Sequence, residues 1–110
     1  MRSFHPHDIP WERLELPGVH IRVLAERHQP MAHWLLIDIA AGAALPRHMH
    51  SHAREWTYVL SGQLRGPSGE VIGAGQAWEV DPGSTHGPVT AEVRSTLLSV
   101  FLGPLDFLQQ

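Results

Sequence analysis

Turns bearing glycine or proline break this chain at intervals of roughly eight to twelve residues, and no segment between them keeps a helical period. That spacing belongs to short antiparallel strands. Val19, Ile21 and Val23 alternate with His20, Arg22 and Leu24 across 19–25, and the stretch 32–40 is rich in β-branched and aromatic side chains. After a turn at Gly42 come a short strand carrying His48 and His50, a strand over 55–60, a turn at Gly62 and a pair of turn glycines, Gly66 and Gly69. Residues 71–72, 76–80 and a long run over 92–102 complete the set, which predicts an all-β sandwich or barrel.

With 110 residues the chain is long enough for one core and too short for two. The expected division is a single domain over 1–110, with an N-terminal arm at 1–18 and a barrel at 19–105. Pro6, Pro10 and Pro17 exclude a continuous helix in the arm, while Phe4, Ile9, Trp11 and Leu14 are apolar enough to lie across a core.

Cysteine is absent, which removes disulfides, thiolate zinc sites and thiol nucleophiles together. All 8 basic residues are arginine, so lysine Schiff-base chemistry is excluded too. These arginines are scattered and the net charge is -3, which argues against a nucleic-acid surface. No signal peptide and no membrane-length apolar run is present, so a cytoplasmic protein without a membrane partner is expected.

The chemistry concentrates in GAALPRHMHSHAREWTYVLSG, residues 42–62, and in DPGSTHG, residues 81–87. Side chains of a strand alternate faces, so His48 and His50 project together. Glu55 stands at an odd offset from His50, so the chain must turn or bulge within 51–54 to bring it to the same point. His86 arrives from a Pro-Gly turn. Three imidazoles and a carboxylate without a thiolate suit one divalent iron, manganese, nickel, cobalt or zinc ion.

The pattern Gly42, five residues, His48, one residue, His50, four residues, Glu55, six residues, Gly62 resembles the first signature of the cupin superfamily at every fixed position. Gly75, Gly83 and His86 are similar to the second, with Pro82 one position late and Thr90 where an asparagine often stands. The resemblance implies a double-stranded β-helix, or jelly-roll, barrel over 19–105, with His48, His50, Glu55 and His86 as metal ligands. The stretches THGPVTAE and FLGPLDFL resemble a subgroup holding acetylacetone and dihydroxyacetophenone dioxygenases and the zinc-binding cupin domain of certain anti-sigma factors. Dioxygenases of the acetylacetone type bind iron through three histidines and no glutamate, so Glu55 sets this chain apart from them.

The resemblance leads to an iron(II) dioxygenase acting on a small dicarbonyl or hydroxyaryl ketone, with Fe2+ favoured over Mn2+, Ni2+ or Zn2+. Glu55 has a second expected role there as general base. The alternatives are a non-catalytic zinc-binding sensor or ligand-binding cupin, and a metal-assisted isomerase or hydrolase.

Other residues carry plainer expectations. His52 extends the run HMHSH, but pairing it with His50 would leave Glu55 only two intervening residues away, so it reads as a surface turn. His5 and His7 read as solvated. His33 shares a strand face with Leu35, Ile37 and Ile39, as a satisfied core histidine or a substrate-orienting group. Trp34 and Trp78 read as core. Arg47 and Arg54 flank the ligands and read as solvated, or as partners for an acidic substrate group. Alternation from Glu55 points Thr57 and Val59 inward and leaves Trp56, Tyr58 and Leu60 outward, an apolar stripe calling for cover by the arm or by a homodimer partner.

Overall fold

A computed structural model describes residues 1–49 and 52–105, the side chain of Met49 excepted. These residues form β1 (Glu12–Arg13), β2 (Val19–His28), β3 (Met31–Ile39), β4 (Ala44–Leu45), β5 (His48–Met49) and β6 (Arg54–Ser61). There follow β7 (Gln63–Arg65), β8 (Val71–Gly73), β9 (Ala77–Val80), β10 (Thr85–His86), β11 (Val89–Ala91) and β12 (Ser95–Leu102). One 3-10 turn, Pro6–Asp8, is the sole helical element among the described residues, and no helix is long and apolar enough to cross a membrane.

All pairings are antiparallel. The large sheet runs β1-β2-β3-β12-β6-β9, the smaller one β4-β11-β7-β8, and β5 pairs with β10 alone. The expected strand at 19–25 continues to His28 past a register shift between Val23 and Ala25. The expected run at 92–102 begins only at Ser95. Residues 92–94 are spent carrying the chain from β11, in the small sheet, to β12, in the large one.

The core lies between the two sheets. Val19, Ile21, Leu35, Ile37, Ile39, Val59, Leu97 and Phe101 face Leu64, Val89 and Ala91 of the small sheet within one buried cluster. Full burial of such a side chain contributes roughly 1.5–3 kcal/mol. The inward face of the large sheet changes character along its length. Where β3, β12 and β6 pair as Ile37, Leu97 and Val59, the row is aliphatic. The next row is Leu35, Ser99 and Thr57, continued by Trp78 on β9, and the next is His33, Phe101 and Glu55. His33, Glu55, Thr57 and Ser99 are all buried, so one end of the barrel interior is polar.

Gly62, which closes the first motif, is required by backbone geometry. Its φ is +97°, and a Cβ there would collide with the Ser95 side chain where the chain leaves β6 beneath the start of β12.

Leu14 and Leu16 of the arm pack against the core, and β1 adds an edge strand beside β2. Trp11 lies under Arg22, whose guanidinium carbon is 4.1 Å from the ring centroid, and Phe4 meets Trp34 edge-on at 6.3 Å. This corrects the expected core position of Trp34, which is on the outer face of β3 and exposed. The arm does not cover the outward stripe of β6: Trp56, Tyr58 and Leu60 are 42%, 46% and 45% exposed among the described residues.

Candidate metal centre

Local turns deliver two of the motif histidines to each other. The backbone N–H of Ser84 donates to the Asp81 carbonyl at 3.1 Å, reversing the chain so that β10 can return along β5. The register then sets His86 directly opposite His48. Gly87 permits this closure, because its φ is +89° and a Cβ would sit 3.0 Å from the Pro46 carbonyl oxygen. The imidazole centroids of His48 and His86 are 4.0 Å apart, with the rings inclined at 62°.

Nδ1 of His48 lies 2.6 Å from the Pro46 carbonyl oxygen. A carbonyl only accepts, so Nδ1 carries the proton and Nε2 holds the ligand lone pair.

Glu55 reaches the same point from the large sheet, since β6 starts at Arg54 while β5 belongs to the separate β5–β10 pair. The chain therefore changes direction between His48 and Glu55, as the odd spacing requires. Glu55 is 5% exposed, and hydrogen bonds orient its carboxylate. Oε2 accepts from the Trp78 indole N–H at 2.7 Å and from the Thr57 hydroxyl at 2.7 Å. Thr57 has a single proton and spends it there, so the Ser99 hydroxyl, 2.7 Å away, donates to Thr57. These donors fix the carboxylate plane and turn Oε1 toward His86, 3.3 Å from its Nε2.

The ligand atoms of His48, Glu55 and His86 lie within 4.8 Å of one another. Nitrogen and oxygen donors at that separation, one carboxylate oxygen oriented by hydrogen bonds and one imidazole oriented by a backbone carbonyl, fit a divalent transition metal. His50, the fourth expected ligand, lies outside the described residues, as does the expectation that it projects alongside His48. His52 is exposed, in keeping with a surface turn.

Two expectations change. Trp78 packs against the core, yet its indole N–H is also a direct partner of Glu55. Arg54 is solvent-exposed as expected but also paired within the chain: its guanidinium donates to Asp81 and, at 3.0 Å, to Glu79, and these bonds, that to Asp81 first, push its pKa above the ordinary arginine value. Thr57 and Ser99 are partners of the site that the sequence alone does not single out. Their signal was a hydroxyl at an inward position of an otherwise apolar strand, and it becomes legible only when register pairs Ser99 with Thr57 and Thr57 with Trp78.

Replacing Trp78 with phenylalanine keeps an aromatic ring and deletes the donor to Glu55. The expected result is a folded protein with metal affinity lowered by about 10–100-fold, read by competition with a chromogenic chelator. Unchanged affinity would reduce Trp78 to a packing residue.

The chain matches the family model of the ChrR cupin-like domain over residues 1–106. Among curated proteins, no relative matches it. Similar solved structures include KdgF from Halomonas sp., with a TM-score of 0.82 and 20% identity over 97% of this chain and 99% of that one. An acetylacetone dioxygenase from Acinetobacter johnsonii aligns with a TM-score of 0.77 and 18% identity over 97% of this chain and 76% of that one. The polyketide cyclase RemF from Streptomyces resistomycificus aligns with a TM-score of 0.74 and 26% identity over 94% of this chain and 80% of that one.

Proposed function

The chain belongs to the ChrR cupin-like domain family and folds as a cupin jelly-roll barrel, and from that premise we propose that it is a mononuclear metalloenzyme, an iron(II) dioxygenase of small dicarbonyls or hydroxyaryl ketones. His48, His50, Glu55 and His86 hold the ion. The observation that carries this is the convergence of His48, Glu55 and His86, whose ligand atoms lie within 4.8 Å of one another, with Oε2 of Glu55 held by Trp78 and Thr57 and Oε1 directed at His86. A carboxylate held in that way is oriented for a ligand rather than merely accommodated.

When bound, the ion supplies Lewis acidity toward substrate oxygens and electrons for dioxygen. The chain's own contribution is positional. Thr57, Ser99 and Trp78 hold Glu55 in one orientation, and its Oε1 is the atom that accepts the acidic proton of an enolisable or phenolic substrate. Phe101 and Leu35, both buried, stand in the same inward rows as Glu55 and Thr57. The structural similarity to an acetylacetone dioxygenase supports the choice of substrate class. The test is oxygen uptake by iron-loaded protein with 2,4-pentanedione and 2-hydroxyacetophenone; no uptake with either, from protein holding one iron per chain, would overturn the dioxygenase. The ChrR-like family match favours a second reading, a zinc-binding sensor without turnover. Tight zinc with no oxygen uptake would establish it.

We propose a homodimer as well, formed through the outer face of the large sheet, where Trp34, Trp56, Tyr58 and Leu102 are exposed. Trp56→Glu should convert a dimer to a monomer in sedimentation at micromolar concentration. A wild-type protein that is already monomeric there would remove the proposal.

A further inference from the structure

Arg54 stands one residue before Glu55, at the start of β6. Register pairs Trp56 with Glu79 and Glu55 with Val80, and the β6–β9 pairing ends there. One position further on, side chains continue where the ladder stops: the Arg54 guanidinium donates to the Asp81 carboxylate and, at 3.0 Å, to Glu79 Oε2. The same Glu79 oxygen accepts from the Trp56 indole N–H at 2.8 Å. Arg54 is partly buried while Glu79 and Asp81 are exposed, and ion pairs so open to water contribute little to the stability of a fold. The place of this network in the chain gives it another use.

Asp81 is the residue at which the chain leaves β9 and enters the turn that carries His86: its carbonyl accepts from the Ser84 N–H, and β10 follows at Thr85–His86. On the inward face, Trp78 donates its indole N–H to Glu55. The stretch 78–81 is therefore pinned to β6 from both faces of the sheet, by Trp78 on Glu55 inside and by Glu79 and Asp81 on Arg54 outside. Glu55 and His86, with Oε1 and Nε2 3.3 Å apart, belong to the two segments joined in this way.

We propose that Arg54 is a positioning residue for the metal centre, a clamp that holds the turn bearing His86 against the strand bearing Glu55. The inference rests on the metal-centred reading above and adds to it a residue that acts on the ion only through the segments it joins. The sign of its effect separates a clamp from a charge. A guanidinium next to Glu55 repels a divalent cation, so through the electrostatic field alone its removal strengthens metal binding. Through the clamp its removal weakens binding, because the freed turn must then be ordered when the ion arrives. Partners outside a coordination shell alter metal affinity by about 10–100-fold, and Arg54, a further step from the ion, acts at the low end of that range.

The experiment measures zinc affinity of the full chain by competition with a chromogenic chelator, for wild type, Arg54→Met, Asp81→Ala and the double variant, with thermal unfolding of each metal-free protein in parallel. Each single substitution should weaken zinc binding by about tenfold. The double variant should lose no more than either single one, because both break the same link. The metal-free unfolding midpoints should stay within about 3 °C of wild type. Arg54→Met that binds zinc as tightly as wild type, or more tightly, overturns the clamp. A double variant whose loss is the product of the two single losses overturns it too, since the residues then act independently. So does a larger fall of the metal-free midpoint in the folded variants, which traces the lost affinity to a weakened fold. Arg54→Gln, closer in polarity, carries the same expectation should Arg54→Met fail to fold. Wild type that takes up no zinc overturns the metal-centred reading itself and this proposal with it, a failure visible before any variant is made.

Discussion

His86→Ala should purify without its metal, falling from about one ion per chain to a small fraction, and should lose oxygen uptake altogether. The side chain is opposite His48 in the β5–β10 pair and 3.3 Å from Glu55 Oε1, so its removal opens the cluster from the middle. Partners outside a coordination shell alter affinity by about 10–100-fold when removed, and a ligand should exceed that range. The measurement is elemental analysis of protein purified without chelators or affinity tags, with thermal unfolding recorded in parallel. Expression hosts can load the wrong element, so dependence on His86 is more informative than the element found. Full metal content in this variant would show that the ion, if present, is held elsewhere.

Glu55→Gln should give the opposite pattern, partial metal retention with turnover lowered at least about 100-fold. The amide is nearly isosteric, and its oxygen can still accept from Trp78 and Thr57 at the position Oε2 now occupies. That choice places the NH2 group where Oε1 faces His86, and an amide nitrogen has no lone pair to give to a metal or a proton. The histidines then hold the ion at reduced affinity while the base is gone. Steady-state rates equal to wild type under saturating metal would sink the general-base role. Rates restored by excess metal would assign Glu55 to coordination alone.

Much of the centre can be read along the chain because its parts are local. The spacing of His48, Glu55 and Gly62 reflects one strand end, one change of sheet and one turn whose glycine is demanded by Ser95. Period-two alternation sorted Thr57 and Val59 from Trp56, Tyr58 and Leu60 correctly, because a strand buried on one face has no other way to partition its side chains. The same rule put His33 inside with Leu35 and Ile37.

It could not say that the His33 ring would find no hydrogen-bond partner among the described residues, or that Trp78 would spend its indole proton on Glu55. Trp34 and Trp78 look alike in the sequence, each a tryptophan in an apolar strand. One ends on the outer face beside Phe4 and the other inside beside Thr57.

Composition and alternation, then, determined an all-β chain, the inward faces of its strands and the residues able to ligate a metal. Strand order and register decided the rest, because they join positions far apart in sequence. Pairing β12 between β3 and β6 sets Ser99 beside Thr57 and Phe101 between His33 and Glu55. Pairing β9 with β6 brings Trp78 to Thr57. A hydrogen bond spanning 42 residues, as between Thr57 and Ser99, has no local signature, since what fixes it is the packing of two sheets over a common core.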